Sequence, residues 1–241
     1  MKKSSDAMYP VYDYGELNVT ISKGNTKMGN IPNFNTLPGN KPLRMKDGML
    51  LTNINGTCGK HCGECFHDCY AVRFIKVHHN VCVKSYAANT IIMRHNPDKL
   101  RNALKEYCNK NIVKYFRFHT SGELESVEQF QLYCDIAKDN GDVIFYIYTK
   151  AFDILEDWLE VNRVLPKNMV VNLSQWNDNL RFVSDRLKQQ CNIFAYDDGE
   201  MDLSYMKHCP AVDKNGRETG ITCAECRRCM KRGNVTAVYA H

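Results

Sequence analysis

Cys58, Cys62, Cys65 and Cys69 fall within twelve residues, in the run Thr57-Cys-Gly-Lys-His-Cys-Gly-Glu-Cys-Phe-His-Asp-Cys-Tyr70, and the first three have the spacing C-x3-C-x2-C. Thiolates this close suit one soft metal centre. A second set follows late in the chain, as Cys209-Pro-x12-Cys223-x2-Cys226-x2-Cys229. Zinc typically draws four closing ligands from two well-separated pairs, which the compact first set fits poorly. Iron–sulfur clusters accept compact runs of cysteine on one loop. The second set suits either a closed zinc site or an auxiliary 4Fe–4S cluster, and reads either as a functional cluster or as a staple that ties the last strand to the domain. Arg227, Arg228, Lys231 and Arg232 make its surroundings basic, as a solvated rim or a phosphate contact. The other thiols, Cys82, Cys108, Cys134 and Cys191, lie in apolar helical or strand patterns and read as buried structural residues.

Composition bounds what these sites can belong to. With 241 residues, 44% hydrophobic and 24% charged, the chain matches a globular domain with a real core. No apolar run approaches the ~20 residues of a membrane helix, and no apolar stretch follows the basic start, so the expectation is a cytoplasmic protein with no membrane partner. Thiols in a reducing compartment read as metal ligands rather than disulfides. The net charge of +5 is mild and spread along the chain. It admits a small-molecule or nucleotide substrate and leaves nucleic acid open as a partner.

The elements that must position the thiols alternate. Residues 1–48, broken by Gly, Pro and Asn, read as an irregular polar extension or lid. Short β-type runs stand at 49–54, 113–119, 143–149, 169–174, 192–196 and 234–239, several of them nearly continuous apolar runs. Helical patterns occupy 97–109, which opens on Pro97, and 126–138, where Ser126 and Gln129 have capping-box spacing. Two more lie at 152–164 and 177–190, and a helical stretch begins at about Tyr70. The expected fold is therefore a single parallel α/β domain over 49–241, with a Cys-rich metal segment at 208–232. Six strands suit an open sheet or a partial barrel. In such folds, loops leaving the carboxyl ends of strands carry the chemistry. That places the first thiol loop beside His119-Thr-Ser-Gly-Glu-Leu124, where Gly122 would let a ligand approach the backbone and Glu123 could meet a cation. Lys150 follows its strand toward the same edge, within reach of a carboxylate. His78 and His79 open a helix and read as surface residues, and Phe145-Tyr-Ile-Tyr148 reads as strand core.

Three cysteines from a C-x3-C-x2-C loop after the first strand resemble the signature of the radical S-adenosylmethionine enzymes. The resemblance extends over roughly residues 49–240, although only the thiol loop and the Ser121-Gly122-Glu123 turn are specific to it. It implies a partial (βα)6 TIM-like barrel, a 4Fe–4S cluster on three of the four thiolates, and S-adenosylmethionine chelated at the remaining iron. It also implies that Ser121, Gly122 and Glu123 hold the methionine ammonium, that Asn172 or Ser174 touches the ribose, and that an electron-donor protein is needed. A 5′-deoxyadenosyl radical would then abstract hydrogen from an unknown substrate. A closer resemblance is to the phage gene-product-88-like family. It rests on Gly24-Asn-x-Lys-x-Gly-Asn30, on Cys69-Tyr-Ala71 and on Phe116-Arg-Phe-His-x-Ser-Gly-Glu123.

Two features depart from the radical pattern. Glu64, not an aromatic residue, precedes Cys65. If Cys69-Tyr-Ala71 closes the motif, the ligands are Cys58, Cys65 and Cys69 rather than Cys58, Cys62 and Cys65. Two alternatives therefore stand beside the enzyme: a non-catalytic zinc or iron–sulfur protein that binds nucleic acid or a protein partner, and a redox sensor that keeps the cluster without radical cleavage.

Overall fold

The computed structural model describes residues 17–48, 50–66 and 69–240. The chain is mixed α/β. In order it forms β1 (Ile21–Ser22), β2 (Asn33–Phe34), α1 (Tyr70–Val77), α2 (His79–His95), α3 (Pro97–Lys110) and β3 (Tyr115–Phe118). Then come α4 (Val127–Asp139), β4 (Ile144–Thr149), α5 (Phe152–Asn162), β5 (Met169–Gln175), α6 (Asp185–Gln190) and β6 (Asn192–Asp197). The last elements are β7 (Lys207–His208), α7 (Cys223–Cys226) and β8 (Val235–Tyr239). One sheet holds all eight strands in the order β1-β2-β3-β4-β5-β6-β8-β7 and does not close. From β2 to β8 the neighbours are parallel. β1 caps one edge antiparallel to β2, and β7 lies parallel to β8 at the other. Parallel neighbours need long crossovers, which the helices supply.

The strand period of two sorts the sheet into two faces. Phe116, Phe118, Phe145, Ile147, Val171 and Leu173 are fully buried on one face, against Leu100 and Leu104 of α3, Phe130 and Tyr133 of α4, Leu155 and Trp158 of α5, and Leu187 of α6. Phe118 stacks on Tyr133 at 4.0 Å, in parallel planes. On the opposite face, called inner below, Tyr146 and Val170 pack with Met28, Ile31 and Met230, and Tyr148 and Cys223 lie against them. Among the described residues, no helix is long and apolar enough to cross a membrane.

The first expected strand is corrected. Residues 50–54 hold only a bridge from Leu50 to Arg44 and a run of bends, and Met49 lies outside the described residues. The strand that enters the parallel sheet before the thiol loop is Asn33–Phe34, inside the expected extension. The signal was masked because Asn33, Asn35 and Thr36 are buried and hydrogen-bonded through polar side chains, so the strand reads as a loop. Meanwhile Leu51 fills a second core with Leu37, Leu43, Val72 and Ile75 rather than a ladder. The expected helix over 177–190 divides into a 3-10 turn, Asn179–Phe182, and α6. The capping box at Ser126 is half formed: Ser126 Oγ accepts from Gln129 N at 3.2 Å, but the Gln129 side-chain carbonyl accepts from Glu125 N.

Candidate functional site

The first thiol loop hangs from the chain that leaves β2. Thr57 N donates to Leu37 O at 2.8 Å and Cys58 N to Gly39 O at 3.0 Å, which fixes the start of the loop at the carboxyl edge of the sheet. Two 3-10 turns follow, Gly59–His61 and Glu64–Phe66. Between them and α5, His61 Nε2 lies 2.7 Å from Asp153 Oδ1, and Lys60 pairs with the other carboxylate oxygen. Burial works against the Asp153 charge, but the bonds to Lys60 and His61 outweigh it and hold the carboxyl below its ordinary range. Tyr70, on the first turn of α1, donates its hydroxyl to Thr120 O and ties the end of the loop to the end of β3.

The Ser121-Gly122-Glu123 turn lies directly beneath. Glu123 N donates to Thr57 Oγ1 at 2.8 Å, and Thr36 Oγ1 lies 2.9 Å from the same hydroxyl. The structure thus brings together the two motifs that sequence alone singled out. Gly122 has φ +90°, and a Cβ there would meet Thr36 Oγ1 at 1.9 Å and Thr57 Oγ1 at 2.6 Å, so its bareness admits two threonines. Ser121 Oγ donates to Thr36 O. Glu123 Oε1 accepts from Leu124 N and Thr149 Oγ1, and Oε2 accepts from Lys150 N at 2.8 Å. A carboxylate offers about four lone-pair sites, so one on Oε2 remains for a further donor. Burial pushes this carboxyl up, and the three hydrogen bonds oppose it. Lys150 meets the carboxylate through its backbone; its ammonium sits 4.3 Å above the Trp176 ring, which stacks on Tyr196. His119, at φ +55°, is buried between Thr36 and Tyr133, and burial lowers it to about 4.

Asn172 is one of the two residues expected near the ribose. It is buried, donates to Ile147 O and Cys229 O, and accepts from Asn192, so its amide is already bonded. Ser174 is half-buried, one step nearer the carboxyl edge on the same inner face. His78 is exposed between α1 and α2, whereas the side chain of His79 lies outside the described residues. Cys82, Cys134 and Cys191 are buried and Cys108 half-buried.

None of the twelve cysteines forms a disulfide, and all eight set members are half-buried. Burial raises the Cys58 thiol, and Glu123, Cys62 and Cys69 raise it further against a hydrogen bond from Gly39 N. Burial likewise raises Cys62, with Cys65 and Cys69 adding to the effect. In the second set burial pushes Cys229 up to about 12, and Cys209, Cys223 and Cys226 all bear on it. Each set is therefore a group of mutually interacting thiols. Among the described residues, no group of three or more His, Cys, Asp or Glu is arranged to hold a single ion. A cubane seats each thiolate on a separate iron, so its ligands ring a body rather than a point. The all-sulfur donor sets fit a soft metal or cluster.

The gene product 88 family model matches residues 19–232. The chain belongs to the gene product 88 family. The gene product 88 match spans both thiol sets and the Ser-Gly-Glu turn and ends just before β8. No curated protein and no solved structure matches the chain.

Proposed function

We propose that this protein is an iron–sulfur enzyme of the radical S-adenosylmethionine type, with a sheet that curves as a partial (βα)6 barrel. The observation that supports it best is the Thr57 bridge, which holds the thiol loop against the Ser121-Gly122-Glu123 turn at the carboxyl edge of six parallel strands in chain order. Sequential order with the helices on one face is the barrel-type arrangement rather than the doubly wound one. In this reading Cys58, Cys62 and Cys65, or Cys58, Cys65 and Cys69, carry a 4Fe–4S cluster. When bound, the cluster and S-adenosylmethionine supply one-electron cleavage and hydrogen abstraction. The chain itself does the placing. Thr149 and the Leu124 and Lys150 amides orient the Glu123 carboxylate, leaving the free lone pair of Oε2 for an ammonium donor. His61 and Lys60 clamp the loop to α5. Gly39 N donates to the Cys58 sulfur at 3.1 Å, a contact that favours the thiolate. The second set holds zinc or another cluster, the substrate is a small molecule or nucleotide, and a cytoplasmic protein donates the electron.

Oxygen-free purification with iron and sulfide analysis tests this. The expected result is about four irons per chain, or about eight if both sets carry clusters, with visible absorption that S-adenosylmethionine alters. Added reductant should then release 5′-deoxyadenosine. Changing Cys58, Cys62, Cys65 and Cys69 singly to Ala identifies the three ligands. Zinc alone, with no iron after reconstitution, overturns the reading in favour of a metal-stapled binding protein.

A further inference from the structure

Arg117 is half-buried on the sheet, with its charge set among aromatic rings and a thiol. It projects from the inner face of β3, in register with Tyr146 of β4. Its guanidinium carbon is 4.5 Å from the Tyr148 ring centroid, and Nη1 is 3.9 Å from Met28 Sδ. Its Nε is buried without a hydrogen-bond partner, and the Tyr146 hydroxyl beside it is buried and unpartnered as well. The ionisable groups that bear most on Arg117 are Tyr70, Tyr146, Tyr148 and Cys223, and none of them is a carboxylate. Guanidinium does not deprotonate in proteins, so the charge stays. Burial works against that charge, and the phenols and the Cys223 thiol around it favour it; a thiolate in place of a thiol would give this half-buried guanidinium a full counter-ion.

The second thiol set lies across this face. Cys223 N donates to Lys27 O at 2.9 Å and Ala224 N to Met28 O, which seats α7 on the loop that touches Arg117. Asn172 Nδ2 donates to Cys229 O at 3.0 Å, and Tyr148 and Cys229 bear on each other. Cys223 and Cys229 both bear on Tyr146. Four thiolates outweigh the charge of a divalent core, so a loaded centre here would be net negative.

We propose that Arg117 is the built-in counter-ion of a four-thiolate metal centre at Cys209, Cys223, Cys226 and Cys229, with the Tyr146 and Tyr148 hydroxyls as donors to its sulfurs. The inference rests on the second set being a metal site and is independent of the S-adenosylmethionine reading. Metal entry drives each thiol proton to solvent and gives the guanidinium its partner. Arg117 and the metal therefore stabilise each other, and Arg117 is a positioning residue, not a ligand.

The test uses the full chain with Cys58, Cys62, Cys65 and Cys69 changed to Ser, so that only the second set binds. Cobalt(II) is the probe, followed by its thiolate absorption in competition with a chelator. Arg117→Met should weaken cobalt affinity by roughly 10–100-fold, while the metal-free protein melts no lower than its parent. Arg117→Lys, which keeps the charge, should lose less affinity than Arg117→Met. Unchanged affinity in Arg117→Met overturns the proposal. So does a metal-free Arg117→Met protein that melts lower or fails to fold, because that would make the arginine a packing residue. A folded parent that binds no cobalt and takes up no iron on reconstitution, or whose cobalt signal survives Cys226→Ser, removes the metal site itself and the counter-ion with it.

Discussion

The two thiol sets are held in opposite ways. The loop of Cys58 to Cys69 is tied at its ends and along one side, and a Cβ added at Gly59 or Gly63 would meet nothing within 4 Å. The second set is wedged in place. A Cβ at Gly29 would meet Ala224 Cβ at 3.0 Å, Thr222 and Glu225 form a full capping box on α7, and Cys209 N donates to Ala237 O of β8 at 2.7 Å. One set lies at the carboxyl edge of the sheet with free space at its glycines; the other lies against the inner face as part of the packing. The contrast teaches that thiol spacing alone does not separate a reaction site from a staple, whereas the surroundings of each backbone do.

The strongest way to break this contrast is to remove each set in turn. Changing Cys223 and Cys226 together to Ser should cost the metal-loaded protein several kcal/mol in denaturant unfolding. Changing Cys62 and Cys65 to Ser should cost less than about 1 kcal/mol while removing iron. Equal losses would mean that both sets are staples. Next comes the floor of the first site. Gly122→Ala forces a Cβ onto Thr36 and Thr57 at positive φ and should cost about 3 kcal/mol or more, read as a fall in Tm. A neutral result would show that the loop and turn are not locked together.

A pH series sharpens the comparison. His119 is buried near the first set and titrates at about 4 instead of 6.5. Its folded value is depressed, so the unfolded chain binds the proton first as pH falls. The stability from keeping it neutral is fully present above pH 6.5 and is lost between about 6.5 and 4. The loss is on the order of 3 kcal/mol. Glu123 works in the other sense: its raised value gives stability at low pH that is lost as pH rises through it. The informative quantity is therefore the difference between wild type and His119→Asn across this range, which should shrink as pH falls. The smallest effect is at the side clamp. The Asp153 carboxylate is half-exposed, so Asp153→Ala should cost at most about 1 kcal/mol, yet speed iron loss from the first set in a chelator chase. Iron retention equal to wild type would leave Lys60 and His61 without a role in holding the loop.

Much of the frame was legible in the sequence. The runs at 113–119, 143–149, 169–174, 192–196 and 234–239 are strands because β-branched and aromatic residues there fill two covered faces. Pro97 and Ser126 announced their helices. The thiol loop and the Ser-Gly-Glu turn were legible because their residue types are unusual at that spacing. What stayed hidden depends on distant pairing. Asn33–Phe34 is a strand because Phe118 and Arg117 lie beside it, and no local pattern shows that. Thr36, Thr57 and Thr149, which shape the first site, are common residues whose importance lies in which hydroxyl faces which amide. Arg117 alternates within its strand like any half-buried residue, and only the partners around it make it unusual.

The strand order also sets an assembly schedule. β7 lies beside β8 alone, and Cys209 N donates its backbone bond to Ala237 O. During synthesis the chain emerges from its amino end, and early segments can pair before later ones exist. β2, β3 and β4 can therefore form the floor of the first thiol loop while the ribosome is still making the rest. Cys209 has no strand to rest on until residue 239 has left the exit tunnel. A chain cut between Cys229 and Val235 would keep the four thiols but lack the strand on which Cys209 rests, so the second site is the last part of the molecule to mature.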